Sequence, residues 1–205
     1  KKRIFFSPHG IDTNYFSINN VDKSVKQENN TILFPADFSP ATNREAADWL
    51  INEIYPKVKI KNPQLKLMLI GRNPPSSFYD LAKKDLHVEV SGYVDDIRPY
   101  FKRATIVVDP VRSCAGLQNK ILCSLSMRRA VIATREANEG LNLPDDLIIF
   151  PEQNSAIAFA QKIDSILNDD KTRLKIEENA RMYVEKYWTW EYHFSELNKM
   201  FKKTF

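Results

Sequence analysis

The sequence is poor in residues that do overt chemistry. Only two of its 205 residues are cysteine and only three are histidine. Cys114 and Cys123 match no metal-ligand spacing, and so low a count is read as a reducing compartment, hence a cytoplasmic setting. His9, His87 and His193 are too scattered to share a metal. His87 opens an apolar run and His193 lies beside an aromatic tail, both ordinary structural places; His9 sits in a loop beside a glycine. No Gly-x-Gly-x-x-Gly follows a strand pattern, and neither a Gly-Lys-Ser/Thr phosphate loop nor a Gly-x-Ser-x-Gly elbow occurs. These absences argue against dinucleotide oxidoreductases, P-loop NTPases and serine hydrolases. No apolar run is long enough to span a bilayer and no signal-peptide pattern opens the chain. The net charge of +4 is too mild for a dedicated nucleic-acid binder. It is compatible with anionic small molecules or peripheral contact with an anionic membrane. The abrupt start, Lys1-Lys2-Arg3 into Ile4-Phe5-Phe6, reads as a cut inside a larger protein.

Glycine is scarce too, and its placement is informative. The five lie at 10, 71, 92, 116 and 140, each just after an apolar run or in a turn. Apolar runs alternate with helical patterns. Strands are predicted over 4–7, 31–34, 65–70, 87–90, 105–108, 130–133 and 147–150. The first helix, with Asn43 as its N-cap, places Ala46, Ala47, Leu50, Ile51, Ile54 and Tyr55 on one face, and Pro56 is expected to bend or end it. Short helices are predicted over 77–84 and from Asp95 or Asp96 to Phe101. Further helices are predicted over 117–127, 154–167, 171–186 and 191–203. The alternation implies an α/β fold: a Rossmann-like, doubly wound parallel sheet of about six strands, with helices on both faces and a C-terminal helical segment. Residues 1–30 read as an interdomain segment, 31–186 as the main domain and 187–205 as a final helix. That helix repeats Trp190, Phe194, Leu197 and Phe201 and packs either on its own sheet or toward a partner domain. Gly71, Gly92 and Gly116 fall on strand-to-helix connections, which share one rim of such a sheet, so a single pocket is expected there.

The most informative stretch runs from Thr105 to Thr134: strand, polar loop, Gly116, helix, strand. A glycine before a helix N-terminus lets the backbone approach a phosphate, and Lys120, about one turn in, adds a full positive charge. The same spacing also suits an ordinary turn whose lysine faces water.

Taken in order, these segments resemble the carboxyl-terminal, donor-binding domain of GT-B glycosyltransferases of the large retaining family. The likeness rests on Pro8-His9-Gly10-Ile11-Asp12 with Phe16, Leu69-Ile70-Gly71-Arg72 with Pro74, and Gly92-Tyr93-Val94-Asp95-Asp96-Ile97-Arg98-Pro99-Tyr100. Asp109-Pro110 with Arg112, Gly116-Leu117-Gln118-Asn119-Lys120, Glu139-Gly140-Leu141 and Tyr187 with Trp190 complete it. The resemblance implies a nucleotide-sugar site. Gly92, Tyr93 and Val94 would lie against the base, and backbone N–H groups near Gly116 and Leu117 would receive the diphosphate. Lys120, Arg72, Arg98 and Arg112 would neutralise it; Arg98, just before Pro99, equally suits a plain surface role. It implies a UDP- or GDP-linked donor and no metal or other cofactor. A glycan or lipid acceptor would be held largely by a missing amino-terminal domain. It also implies work at the inner face of the cell membrane in polysaccharide synthesis, and a fragment inactive by itself. The catalytic residue is not assigned. The sequence departs from the family at Cys123, where many members carry the ribose-binding glutamate. It departs also at Ala115, at Ala36 and over Met127-Arg128-Arg129-Ala130. A non-catalytic domain serving as scaffold, or a relative with other chemistry such as an epimerase, are the competing readings.

Overall fold

The computed structural model describes residues 9–113, 116–152 and 154–202. Five parallel strands form one sheet: β1 Thr31–Pro35, β2 Lys66–Ile70, β3 Val88–Ser91, β4 Ile106–Asp109 and β5 Ala130–Ala133. Their spatial order is β3-β2-β1-β4-β5. Ile32 is paired with both Leu67 and Ile106, so β1 is central. Every residue of β1, β4 and β5 is buried, which is why these runs read as continuously apolar rather than alternating. The predicted strand over 4–7 lies outside the described residues. Leu147–Phe150 does not form a sixth strand. Ile149 alone pairs with β5, donating its N–H to Val131 and accepting one from Ala133, between Pro144 and Pro151. Proline has no N–H to give a ladder, which keeps the run short.

The helices are α1 Ala41–Trp49, α2 Tyr55–Lys61, α3 Ser76–Lys84, α4 Arg98–Arg103, α5 Asn119–Ser126, α6 Arg135–Asn138, α7 Ala156–Leu167, α8 Asp170–Tyr187 and α9 Trp190–Lys202. Two corrections concern the first pair. Pro40, not Asn43, occupies the N-cap, its ring fixing φ while ψ stays extended. Asn43 instead donates its side-chain amide to the Asp37 carbonyl at 2.7 Å. Pro56 does not end the helix. The π turn Leu50–Ile54 joins α1 to α2, with the Tyr55 N–H bonded back to Leu50. The wider turn gives room for a ring that an α-helix would press against a carbonyl one turn earlier. Helix α4 starts at Arg98, two or three residues later than the expected Asp95 or Asp96, and Asp96 accepts the Arg98 N–H. Helix α5 likewise begins at Asn119 rather than Leu117.

The segment before β1 is stitched to the body. Ile11 pairs with Thr189, and the Glu28 carboxylate holds Lys66 and Arg103. Helix α9 buries only His193. Trp190, Phe194 and Phe201 remain exposed, so the stripe does not pack on the sheet. No described helix is long and apolar enough to cross a membrane.

Candidate functional site

A cavity of about 380 Å³ opens at the carboxyl ends of β1 and β2. Ligands of open α/β sheets bind at this rim. Each wall follows from local structure. The turn after β1 contributes Pro35, Ala36 and Asp37, and the turn after β2 contributes Ile70, Gly71 and Arg72. These two turns are pressed together. The Ala36 N–H donates to Ile70 at 3.0 Å, and a Cβ on Gly71 would stand 1.9 Å from the Ala36 carbonyl oxygen. Gly71 also has φ +141°, so only glycine fits. Tyr93 and Val94 come from the turn after β3, Ile97 and Phe101 from around α4, Lys120 and Cys123 from α5, and Phe16 from the amino-terminal segment.

Six residues expected from the sequence therefore meet on one surface: Gly71, Arg72, Tyr93, Val94, Lys120 and Cys123. Arg72 lies over the Tyr93 ring, 5.1 Å from its centroid. Lys120 does not face water. Its side chain is 11% exposed; the ammonium stands 2.9 Å from the Asp109 carboxylate, donates to Asn43 Oδ1 at 3.2 Å and lies over Phe34. Burial pushes the Asp109 carboxyl above its ordinary range, against the pull of Lys120. The Cys123 thiol is likewise pushed up, by burial, to about 12, so it is neutral and inert as a nucleophile.

The other expected residues do not line the cavity. Arg98 is captured by Asp96, two residues before it, through two 2.8 Å bonds, and its guanidinium stacks 3.9 Å from the Tyr15 ring centroid. It braces the amino-terminal segment. Arg112 is exposed and lies over Trp49. Gly92 neighbours the Tyr79 hydroxyl. Gly116 and Leu117 pack beside Gly140, whose own Cβ would meet the Gly116 carbonyl oxygen at 2.2 Å. Ala115, with Cys114, lies outside the described residues. Sequence reasoning missed Phe16, Asp37, Ile97, Phe101 and the buried Asp109. Asp37 and Asp109 each stand at the carboxyl end of a strand, which was the available signal.

The cavity thus joins an apolar wall to two cations and one exposed carboxylate, with the Tyr93 ring at its mouth. Such a site suits an anionic ligand carrying a flat or apolar portion. No group of three His, Cys, Asp or Glu among the described residues could hold a metal ion.

Residues 29–169 match the model of the family described as Glycosyl transferases group 1. This chain belongs to that family. An uncharacterized 44.6 kDa protein in the cps region of Klebsiella pneumoniae is 22% identical to this glycosyltransferase-family chain over 181 residues. The match covers 83% of this chain and 46% of that protein. A glycosyltransferase from Rickettsia africae ESF-5 superposes with a TM-score of 0.76 at 20% identity, over 96% of this chain and 56% of that one. Anabaena HepE, solved in complex with UDP, superposes with a TM-score of 0.77 at 12% identity, over 95% and 56%. These likenesses establish a GT-B carboxyl-terminal, Rossmann-like fold, with a five-stranded sheet among the described residues. The chain spans about half the length of the relatives it matches.

Proposed function

We propose that this chain is the donor-binding half of a retaining glycosyltransferase. The enzyme moves a sugar from a UDP- or GDP-linked carrier to a glycan or lipid acceptor in cell-surface polysaccharide synthesis. The observation that carries this reading is the convergence of Gly71, Arg72, Tyr93 and Lys120 on one cavity at the strand ends. Family membership and the UDP complex of HepE support it. In this reading Tyr93 and Val94 take the base, while Arg72 and Lys120 meet the diphosphate. Positive charge there stabilises the leaving nucleoside diphosphate as the sugar–phosphate bond breaks. No metal takes part, and the acceptor is held by the remainder of a longer enzyme working at the cytoplasmic face of the membrane. The chain alone binds donor without turning it over.

Calorimetric titration with UDP and GDP tests this. Saturable binding of one of them, weakened at least about tenfold by Lys120→Met, is expected. Absence of saturable binding by both would remove the reading.

One observation favours a second reading, a non-catalytic scaffold domain. The cavity wall carries a neutral thiol at Cys123, a weak donor and weak acceptor that cannot hold a ribose diol. Cys123→Glu raises nucleotide affinity if the cavity is a donor site and leaves it unchanged if the domain is a scaffold.

A further inference from the structure

The cavity presents two cations, yet the charge of one is already balanced from behind. Asp109 closes β4 and is fully buried. Neither of its carboxylate oxygens makes a full hydrogen bond, and the Lys120 ammonium at 2.9 Å is the main compensation. A protonated lysine has three N–H donors. One goes to Asn43 Oδ1; the ammonium also stands beside the Asp109 carboxylate and over the Phe34 ring, on the wall of the cavity that Lys120 lines.

We propose that Asp109 is a positioning residue for the anion subsite: it fixes Lys120 at the cavity wall and takes up a proton when a diphosphate arrives. This rests on the donor-site reading above. A phosphate oxygen accepting from Lys120 would share one ammonium with a buried carboxylate. Two anions on one cation in a poorly screened interior repel, and the buried one relieves this by binding a proton. Burial already drives the Asp109 carboxyl in that direction.

The Val111 N–H, next along the loop after β4, also draws the Asp109 carboxyl down without overcoming its burial. From α5 the group facing Asp109 is Lys120. From α1 it is the neutral Asn43 amide, which reaches Lys120 rather than the carboxylate. At the end of β5, Thr134 donates its N–H to the Asp109 main-chain carbonyl at 3.1 Å. Asp37 and Arg72 face the cavity from the ends of β1 and β2 and carry opposite charges. Arg112 is turned onto Trp49. A neutral Asp109 leaves Lys120 with a net positive charge for the ligand. Binding that takes up a proton strengthens as pH falls, in a window above the ordinary aspartate value of about 3.9.

The test is calorimetry of the chain with UDP and with inorganic pyrophosphate, each in two buffers of different ionisation heat. The proposal expects uptake of up to about one proton per bound ligand. Asp109→Asn, a stand-in for the protonated acid, is expected to bind without the proton uptake of the wild type, keeping only the pH dependence of the ligand's own phosphate groups. It should bind at least as tightly as the wild type at pH 8. In the wild-type chain, the Asp109 carboxyl carbon resonance is expected to shift toward its protonated position on adding pyrophosphate. That measurement decides the matter even where the Asn variant folds poorly. Binding with equal apparent heats in both buffers and an unmoved carboxyl resonance would overturn the proposal while leaving the donor site standing. Uptake that persists in Asp109→Asn would overturn it too. Failure of both ligands to bind would remove the donor site and this inference together.

Discussion

The Arg181 guanidinium, on α8, donates to the main-chain carbonyl of Phe16 at 2.8 Å, tying a wall of the cavity to a helix far along the chain. The same side chain bonds the Ser126 carbonyl, the Ser126 hydroxyl at 2.9 Å and the Thr13 carbonyl at 3.0 Å, and it pairs with Glu185. It is 8% exposed. Arg181→Met takes the guanidinium donor from the Ser126 and Thr13 carbonyls, while the Phe16 carbonyl keeps the Ser126 hydroxyl. We expect a loss of about 3–5 kcal/mol in urea unfolding, with weaker nucleotide binding as Phe16 loosens. Lysine at this position recovers only part, since it lacks the planar fork.

Gly71→Ala tests the close approach that shapes the cavity. The added Cβ meets the Ala36 carbonyl oxygen, at a φ that only glycine accepts freely. The expected cost is about 2–4 kcal/mol, with a weakened nucleotide response. Unchanged stability in chemical denaturation would contradict the packed-turn geometry.

Acid stability has a named contributor. Burial works to raise the Asp85 carboxyl. Hydrogen bonds from Lys59, the His87 N–H and the Tyr55 hydroxyl overcome it and draw the group down to about 2. The unfolded value is about 3.9, so the folded state holds the proton less tightly. The stabilisation is present in full above about pH 4 and is lost as pH falls through about 2. Allowing for the partly exposed setting, Asp85→Asn should cost about 1–2 kcal/mol at pH 7. The gap to wild type should close near pH 2. Denaturant midpoints across that range check this.

Cys123 should resist thiol reagents in the native state at pH 8, because its half-buried thiol is pushed to about 12 and stays protonated. Peptide mapping after brief iodoacetamide treatment is expected to find Cys123 unlabelled, then labelled once the chain is unfolded. Rapid native labelling would show that the cavity wall opens readily.

Much of the fold was legible because buried parallel strands leave long apolar runs. Ala130–Ala133 is bounded in the structure as the sequence implied. The pairing of the turns after β1 and β2 was hinted by Gly71 alone. What escaped was chemistry between residues whose proximity no periodicity encodes. Lys120 looked like a surface lysine or a free phosphate ligand until Asp109 proved to stand behind it. Arg98 looked available until Asp96 and Tyr15 claimed it. Pro56 looked like a helix breaker, and a π turn accommodates it. Phe16 sits in a polar stretch with no helical or strand pattern, and packing on the core with hydrogen bonds from Ser126 and Arg181 brings it to the cavity.

The most direct test of the central claim is a crystal structure of this chain soaked with UDP or GDP. A diphosphate is expected within hydrogen-bond distance of Lys120, near Arg72, with the base beside Tyr93 and Val94. A nucleotide bound elsewhere, with the cavity between Gly71 and Lys120 empty, would contradict it.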